Sequence, residues 1–175
     1  MRIDASIAFV PLGSPLTILG AAIASPNTVD LLGTGVGTAP VNIIGTPSVY
    51  GAADAMGIGK ERVALQIATG AAAFAGGTSL NVALQGAIDN GSYQPGTWNT
   101  FGESGALLTA NLTASTVICR LPWLPPWPFN LRPRFLRLLF TPVGTFTAGA
   151  IAYALPVTGR DDYSAANAAK NFAVA

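Results

Sequence analysis

Period-two alternation of apolar and polar side chains dominates the chain. In residues 62–68, Val63, Leu65 and Ile67 alternate with Arg62, Ala64 and Gln66. In residues 79–85, Leu80, Val82 and Leu84 alternate with Asn81, Ala83 and Gln85. Successive side chains of a strand point to opposite faces, so each run puts its large apolar groups on one face and its polar groups on the other. The Ala/Gly-rich link at residues 70–78 reads as a long hairpin loop between these strands. Asp89-Asn90-Gly91-Ser92 predicts a turn, because Asn-Gly tolerates positive φ. Further strands are expected at residues 116–121, 134–141 and 146–157, and earlier at 16–23, 41–44 and 48–50. In the last long run, Ile151, Tyr153, Leu155 and Val157 fall on one face and Ala148, Ala150, Ala152 and Ala154 on the other. Helix signals are confined to one turn at residues 109–113, capped by Thr109, and a short segment at 165–172, capped by Ser164. Many short strands between Gly, Pro and Asn turns predict an all-β sandwich or barrel with little helix.

Residues 121–133 (LPWLPPWPFNLRP) break this pattern with five prolines, Trp123, Trp127 and Phe129. Proline cannot donate to a sheet ladder, so a central strand is excluded. A Pro/aromatic crossover packed over the end of the sandwich is expected, in preference to a polyproline ligand.

Composition narrows the classes. The 175 residues suggest one domain over 1–175, with an extended N-terminal segment (about 1–12) and a C-terminal tail (about 160–175). Nine basic against eight acidic residues leave a net charge of +1, too little excess for a nucleic-acid surface. Only 10% of residues are charged, against about 25% in ordinary soluble domains. A chain so poor in charge suits either a membrane or a partner surface. Uncharged stretches lie between Asp4 and Asp30 and across residues 138–159. Both are interrupted by Pro and Gly, which would leave backbone groups unsatisfied in lipid, and the aromatics do not form barrel girdles, so no membrane span is expected. A cleaved leader ending near Ala22-Ile23-Ala24 is a weaker reading than a first strand through Ile3, Ala5, Ile7 and Phe9.

Candidate chemistry is sparse. There is no His, the usual general base and commonest metal ligand. Gly59-Lys60 resembles a phosphate loop, but Asp54 and Glu61 stand where that loop needs Gly and Ser or Thr. Gly33-Thr34-Gly35 lacks the third glycine of a dinucleotide fingerprint, since Thr38 is there. Asp161-Asp162 is the only adjacent acidic pair and reads as a solvated turn. Cys119 lies in an apolar strand pattern and reads as a buried, inert thiol. The expectation is a non-enzyme with no catalytic, cofactor-binding or metal-binding residues. Arg132, Arg134 and Arg137 form one basic cluster beside Arg120. Such guanidinium groups either satisfy acids and carbonyls within the domain or contact a partner. Alternation places Arg134 with Leu136 on one face and Phe135 with Arg137 on the other, so the three do not form one simple patch.

An ordered set of segments carries a resemblance. It opens with Met1-Arg2-Ile3-Asp4-Ala5-Ser6 and Phe9-Val10-Pro11-Leu12-Gly13, and continues in Asp30-Leu31-Leu32-Gly33, Gly37-Thr38-Ala39-Pro40 and Tyr93-Gln94-Pro95-Gly96. It closes with residues 130–138 (NLRPRFLRL), Arg160-Asp161-Asp162 and residues 169–175 (AKNFAVA). Together these resemble the capsid cement (decoration) proteins of tailed bacteriophages related to a Bordetella phage. The resemblance implies a jelly-roll-like β-sandwich on the outer surface of the virion. Its partners would be the major capsid protein and itself, as a dimer rather than a trimer, with no nucleic acid, membrane or cofactor. Its task would be to clamp neighbouring capsomers against internal DNA pressure. Candidate capsid contacts are Arg2, Asp4, Trp123, Trp127, Arg132, Arg134, Arg137, Lys170 and Phe172, in the termini, the Pro/aromatic crossover and the basic cluster. The alternative is a carbohydrate- or receptor-binding jelly roll of a head fibre or tail, with Trp98, Trp123 and Trp127 as stacking platforms.

Overall fold

The computed structural model describes residues 2–3, 8–31, 49–51, 64–122 and 133–158. These residues form two main sheets and a two-stranded one. In the first sheet, β1 (Arg2–Ile3) and β2 (Leu16–Thr17) both lie along β14 (Ala150–Thr158). Next to β14 comes β6 (Ala64–Thr69), then β11 (Val117–Pro122). In the second sheet, β9 (Pro95–Glu103) and β10 (Leu107–Leu108) lie along β8 (Ser79–Asp89). β8 pairs with β12 (Phe135–Val143), and β12 with β3 (Ile23–Ala24) and β4 (Thr28–Asp30). β5 (Val49–Gly51) runs parallel to β4, and β7 (Ala75–Gly76) pairs with β13 (Phe146–Ala148).

Counting β1 with β2 and β3 with β4 as single interrupted strands, eight main strands remain. The first pairs with the last (β14), the second with β12, the third (β6) with β11, and the fourth (β8) with β9, all antiparallel. This nested pairing is that of a jelly roll, and it selects the sandwich over the barrel.

The core between the sheets is built by the alternation read from the sequence. Leu65 and Ile67 of β6 meet Leu80, Val82 and Leu84 of β8 and Leu136, Leu138 and Phe140 of β12 in one buried cluster. Each such side chain contributes roughly 1.5–3 kcal/mol of transfer free energy. Phe74 and Phe146 join it edge to face, with centroids 5.1 Å apart. Asn27 is a buried polar tie: its Nδ2 donates to the Ala8 carbonyl at 2.6 Å, while the Ser25 hydroxyl donates to the Asn27 carbonyl at 2.8 Å and accepts the Leu138 N–H at 3.0 Å.

Several local expectations are corrected. β6 and β8 lie in different sheets, so residues 70–78 cross the sandwich and supply β7 on the way. Alternation fixes which face is buried; it does not fix which strand lies alongside. The run expected at 16–23 divides into β2 and β3, one in each sheet. The run at 146–157 breaks at Gly149, whose φ of +125° suits glycine, and where a Cβ would run into the Phe74 ring. Beyond it, β14 shifts register between Ile151 and Tyr153. A bulge reverses the inward and outward sense, so Ile151 and Ala154 enter the main core while Tyr153, Leu155 and Val157 pack with Ala8 in a second cluster. The polar side of β6 is also buried: Gln66 donates through Nε2 to the Tyr153 hydroxyl at 2.9 Å. The helical turn is a 3-10 turn at Thr109–Asn111, and it is not capped by Thr109, whose hydroxyl donates to the Gly77 carbonyl at 3.0 Å. The segments expected at 41–44 and 165–172, and most of the Pro/aromatic crossover, lie outside the described residues.

Candidate partner-binding face

The outer side of the second sheet gathers aromatic and arginine side chains from three adjacent strands. Register sets Arg137 of β12 opposite Gln85 of β8, and Gln85 opposite Thr100 of β9. One step along, Phe135 stands opposite Ala87, and Ala87 opposite Trp98. A hydrogen-bonded row crosses the first line of residues. Arg137 Nε donates to Gln85 Oε1 at 2.9 Å, and Gln85 Nε2 donates to Thr100 Oγ1 at 3.4 Å. The Arg137 guanidinium lies over the Trp98 ring, 4.2 Å from its centroid, a cation–π contact. Farther along the same face, Asn81 Nδ2 donates to Glu103 Oε2 at 2.8 Å.

Arg134 organises the neighbouring corner. Its Nε donates to Asp30 Oδ1 at 3.0 Å and its Nη2 to Asp30 Oδ2 at 2.9 Å, while Nη1 pairs with Asp89. Its guanidinium carbon lies 5.0 Å from the Phe135 centroid and 5.2 Å from that of Tyr93. The hydrogen bonds to Asp30 raise the Arg134 pKa; desolvation opposes this, and the charges of Asp30 and Asp89 add to the rise. For Asp89, desolvation raises the pKa, but the Gly91 N–H, the Arg134 guanidinium and the Tyr93 N–H outweigh it and hold the carboxyl below its ordinary value.

The expected turn at residues 89–92 builds this corner. Asp89 Oδ1 accepts the N–H groups of Gly91 at 2.8 Å and Tyr93 at 3.0 Å, and Asn90 Oδ1 accepts that of Ser92 at 2.8 Å. Gly91 has φ of +89°, as the Asn-Gly signal requires. The turn leaves Tyr93 76% exposed beside Arg134.

Of the expected contact residues, the structure brings Arg134 and Arg137 to this one face. That corrects the division read from alternation. Arg134 precedes the first residue of β12, so strand alternation does not govern it, and its side chain folds back over Phe135. Arg2 lies in β1, on the first sheet. Asp4, Trp123, Trp127, Arg132, Lys170 and Phe172 lie outside the described residues. Asp30, Gln85, Tyr93 and Thr100 were not singled out from the sequence as parts of a site. The even spacing of Asn81, Ala83 and Gln85 carried the available signal for Gln85, as the solvent face of β8.

A second exposed feature is the apolar end of the same sheet, where Leu108 and Val143 both stand opposite Ser79 and are 55% and 53% exposed. Cys119 packs against the main core, half-buried, and burial pushes its thiol up to about 12. Among the described residues, no three His, Cys, Asp or Glu side chains gather to hold a metal ion, and no helix is long and apolar enough to cross a membrane.

The family model Bbp16 matches residues 18–155, more than three-quarters of the chain. The chain belongs to the Bbp16 family. Bbp16 is a Bordetella phage protein family, so the Bordetella-phage resemblance read from the sequence holds. The Bbp16 match takes in the whole second sheet with the Arg134–Arg137 face, and the first sheet apart from β1, β2 and the end of β14. No curated protein matches the chain.

Proposed function

We propose that this Bbp16-family chain is a structural virion protein that binds the outer surface of the major capsid shell and cements neighbouring capsomers. The observation that carries the reading is the exposed Tyr93 and the Trp98–Arg137 pair on the outer face, set over the buried Phe135 and the internally paired Arg134, on a chain otherwise poor in charge. Aromatic residues and arginine are enriched in the buried centres of protein interfaces, where Lys, Glu and Asp are depleted. On a repetitive shell, several modest contacts of this kind add by avidity. The termini are further candidate contacts, and self-association as a dimer belongs to the same proposal.

A glycan-binding role draws less support. Sugar stacking needs an open ring face, and one face of Trp98 is covered by the Arg137 guanidinium. Co-sedimentation of the purified chain with shells stripped of it tests the proposal. Saturable binding at a fixed ratio to the shell subunit is expected. Binding to glycans with no retention on shells would favour the alternative.

A further inference from the structure

The two arginines of the outer face are in opposite states. Arg134 spends all three of its guanidinium nitrogens on Asp30 and Asp89. Arg137 spends only Nε, on the neutral Gln85 oxygen. Its Nη1 and Nη2 make no hydrogen bond or ion pair with any described residue, and neither is an enclosed, unsatisfied atom. The group is nonetheless held in place: Gln85 fixes its Nε edge, Thr100 fixes Gln85, and Trp98 lies against its plane. A guanidinium fixed on one edge and one face presents the paired N–H groups of its remaining edge, which match a carboxylate.

We propose that Arg137 receives an Asp or Glu carboxylate of the capsid subunit, with Trp98 and Gln85 as positioning residues; this rests on the shell-binding reading above. Charge complementarity selects this occupant. A phosphate backbone calls for clustered cations, whereas the other arginine here is neutralised by two acids and Glu103 adds a negative charge on the same face. One isolated, oriented guanidinium suits one carboxylate at one position. Burial lowers the Arg137 pKa, as befits a cation without a counter-ion among the described residues, and an incoming carboxylate would supply one.

The test compares wild type, Arg137→Gln, Arg137→Lys and Trp98→Ala for binding to stripped shells across a salt series, with thermal unfolding measured alongside. A folded Trp98→Ala is expected to weaken binding less than Arg137→Gln does, and wild-type affinity for it overturns Trp98 as a positioning residue. Arg137→Gln is expected to raise the half-saturating concentration about tenfold or more and to flatten the salt dependence. Arg137→Lys, which keeps the charge and loses the fork, is expected to recover less than half of that loss in free energy. Its milder change serves as the folded comparison if Arg137→Gln unfolds. Wild-type affinity for both Arg137 variants overturns the assignment and leaves shell binding intact. Failure of the wild type to bind shells overturns the shell reading itself. Full recovery by Arg137→Lys overturns the bidentate geometry. Arg137-dependent binding to uronic-acid oligosaccharides, with unchanged shell binding, overturns the protein carboxylate as occupant.

Discussion

Arg134 and Asp30, 104 residues apart in sequence, meet through three hydrogen bonds of 3.0, 3.3 and 2.9 Å that bring the approach to β12 onto the end of β4. Both side chains are largely enclosed, at 17% and 8% exposure. Removing one member of such a pair leaves the other charge poorly solvated. Arg134→Gln is expected to cost about 3 kcal/mol, a fall in Tm of roughly 6–12 °C for a domain of this size. Calorimetry checks it, and an Asp30→Asn, Arg134→Gln double mutant is expected to lose less than the sum of the single changes.

Asp89 ties the turn to the same arginine and gives the corner a pH dependence. Its folded pKa is lowered, so its contribution is present above the unfolded carboxyl value of about 3.9 and is lost as pH falls through the folded value. Asp89→Asn keeps an oxygen for the Gly91 and Tyr93 N–H groups but loses the charge. Its Tm deficit is therefore expected to be full at pH 7 and to shrink as pH falls below about 4. An equal deficit at pH 7 and pH 3 would contradict the assignment.

Gly149 separates β13 from β14, and its substitution tests whether that break is built into the fold. Alanine there meets the Phe74 ring and adopts a φ of +125°. A loss of about 2–4 kcal/mol is expected in urea unfolding, from overpacking and backbone strain together.

The Cys119 thiol, pushed up to about 12 by burial, is expected to be inert in the folded protein. At pH 8 its reaction with a chromogenic disulfide reagent is expected to run on the order of a thousandfold slower than in the urea-unfolded chain, since the thiolate is the nucleophile. Comparable rates in both states would contradict its burial.

The all-β class and the core positions of β6, β8 and β12 were legible because period-two alternation records burial directly. β9 was not: the spacing of Trp98 and Phe101 breaks a period of two, and β9 meets β8 through register shifts. Alternation likewise assigns the wrong face to the last strand, since a bulge at Ile151–Tyr153 leaves no mark on the pattern. Strand order was equally silent, which is why the crossing at residues 70–78 looked like a hairpin. At the candidate face, Arg134 and Arg137 stood out as residue types, but their opposite states depend on Asp30, Gln85 and Trp98. Those partners are distant in sequence and are brought close only by the nested pairing of β4, β12, β8 and β9.

The most direct test of the shell-binding account is a cryo-EM map of the phage particle that encodes this chain. A jelly roll is expected on the outside of the shell, with the side chains of Trp98 and Arg137 turned toward a capsid subunit and a carboxylate at the Arg137 Nη edge. A particle whose shell lacks the chain, or one that carries it with this face open to solvent, would contradict the account.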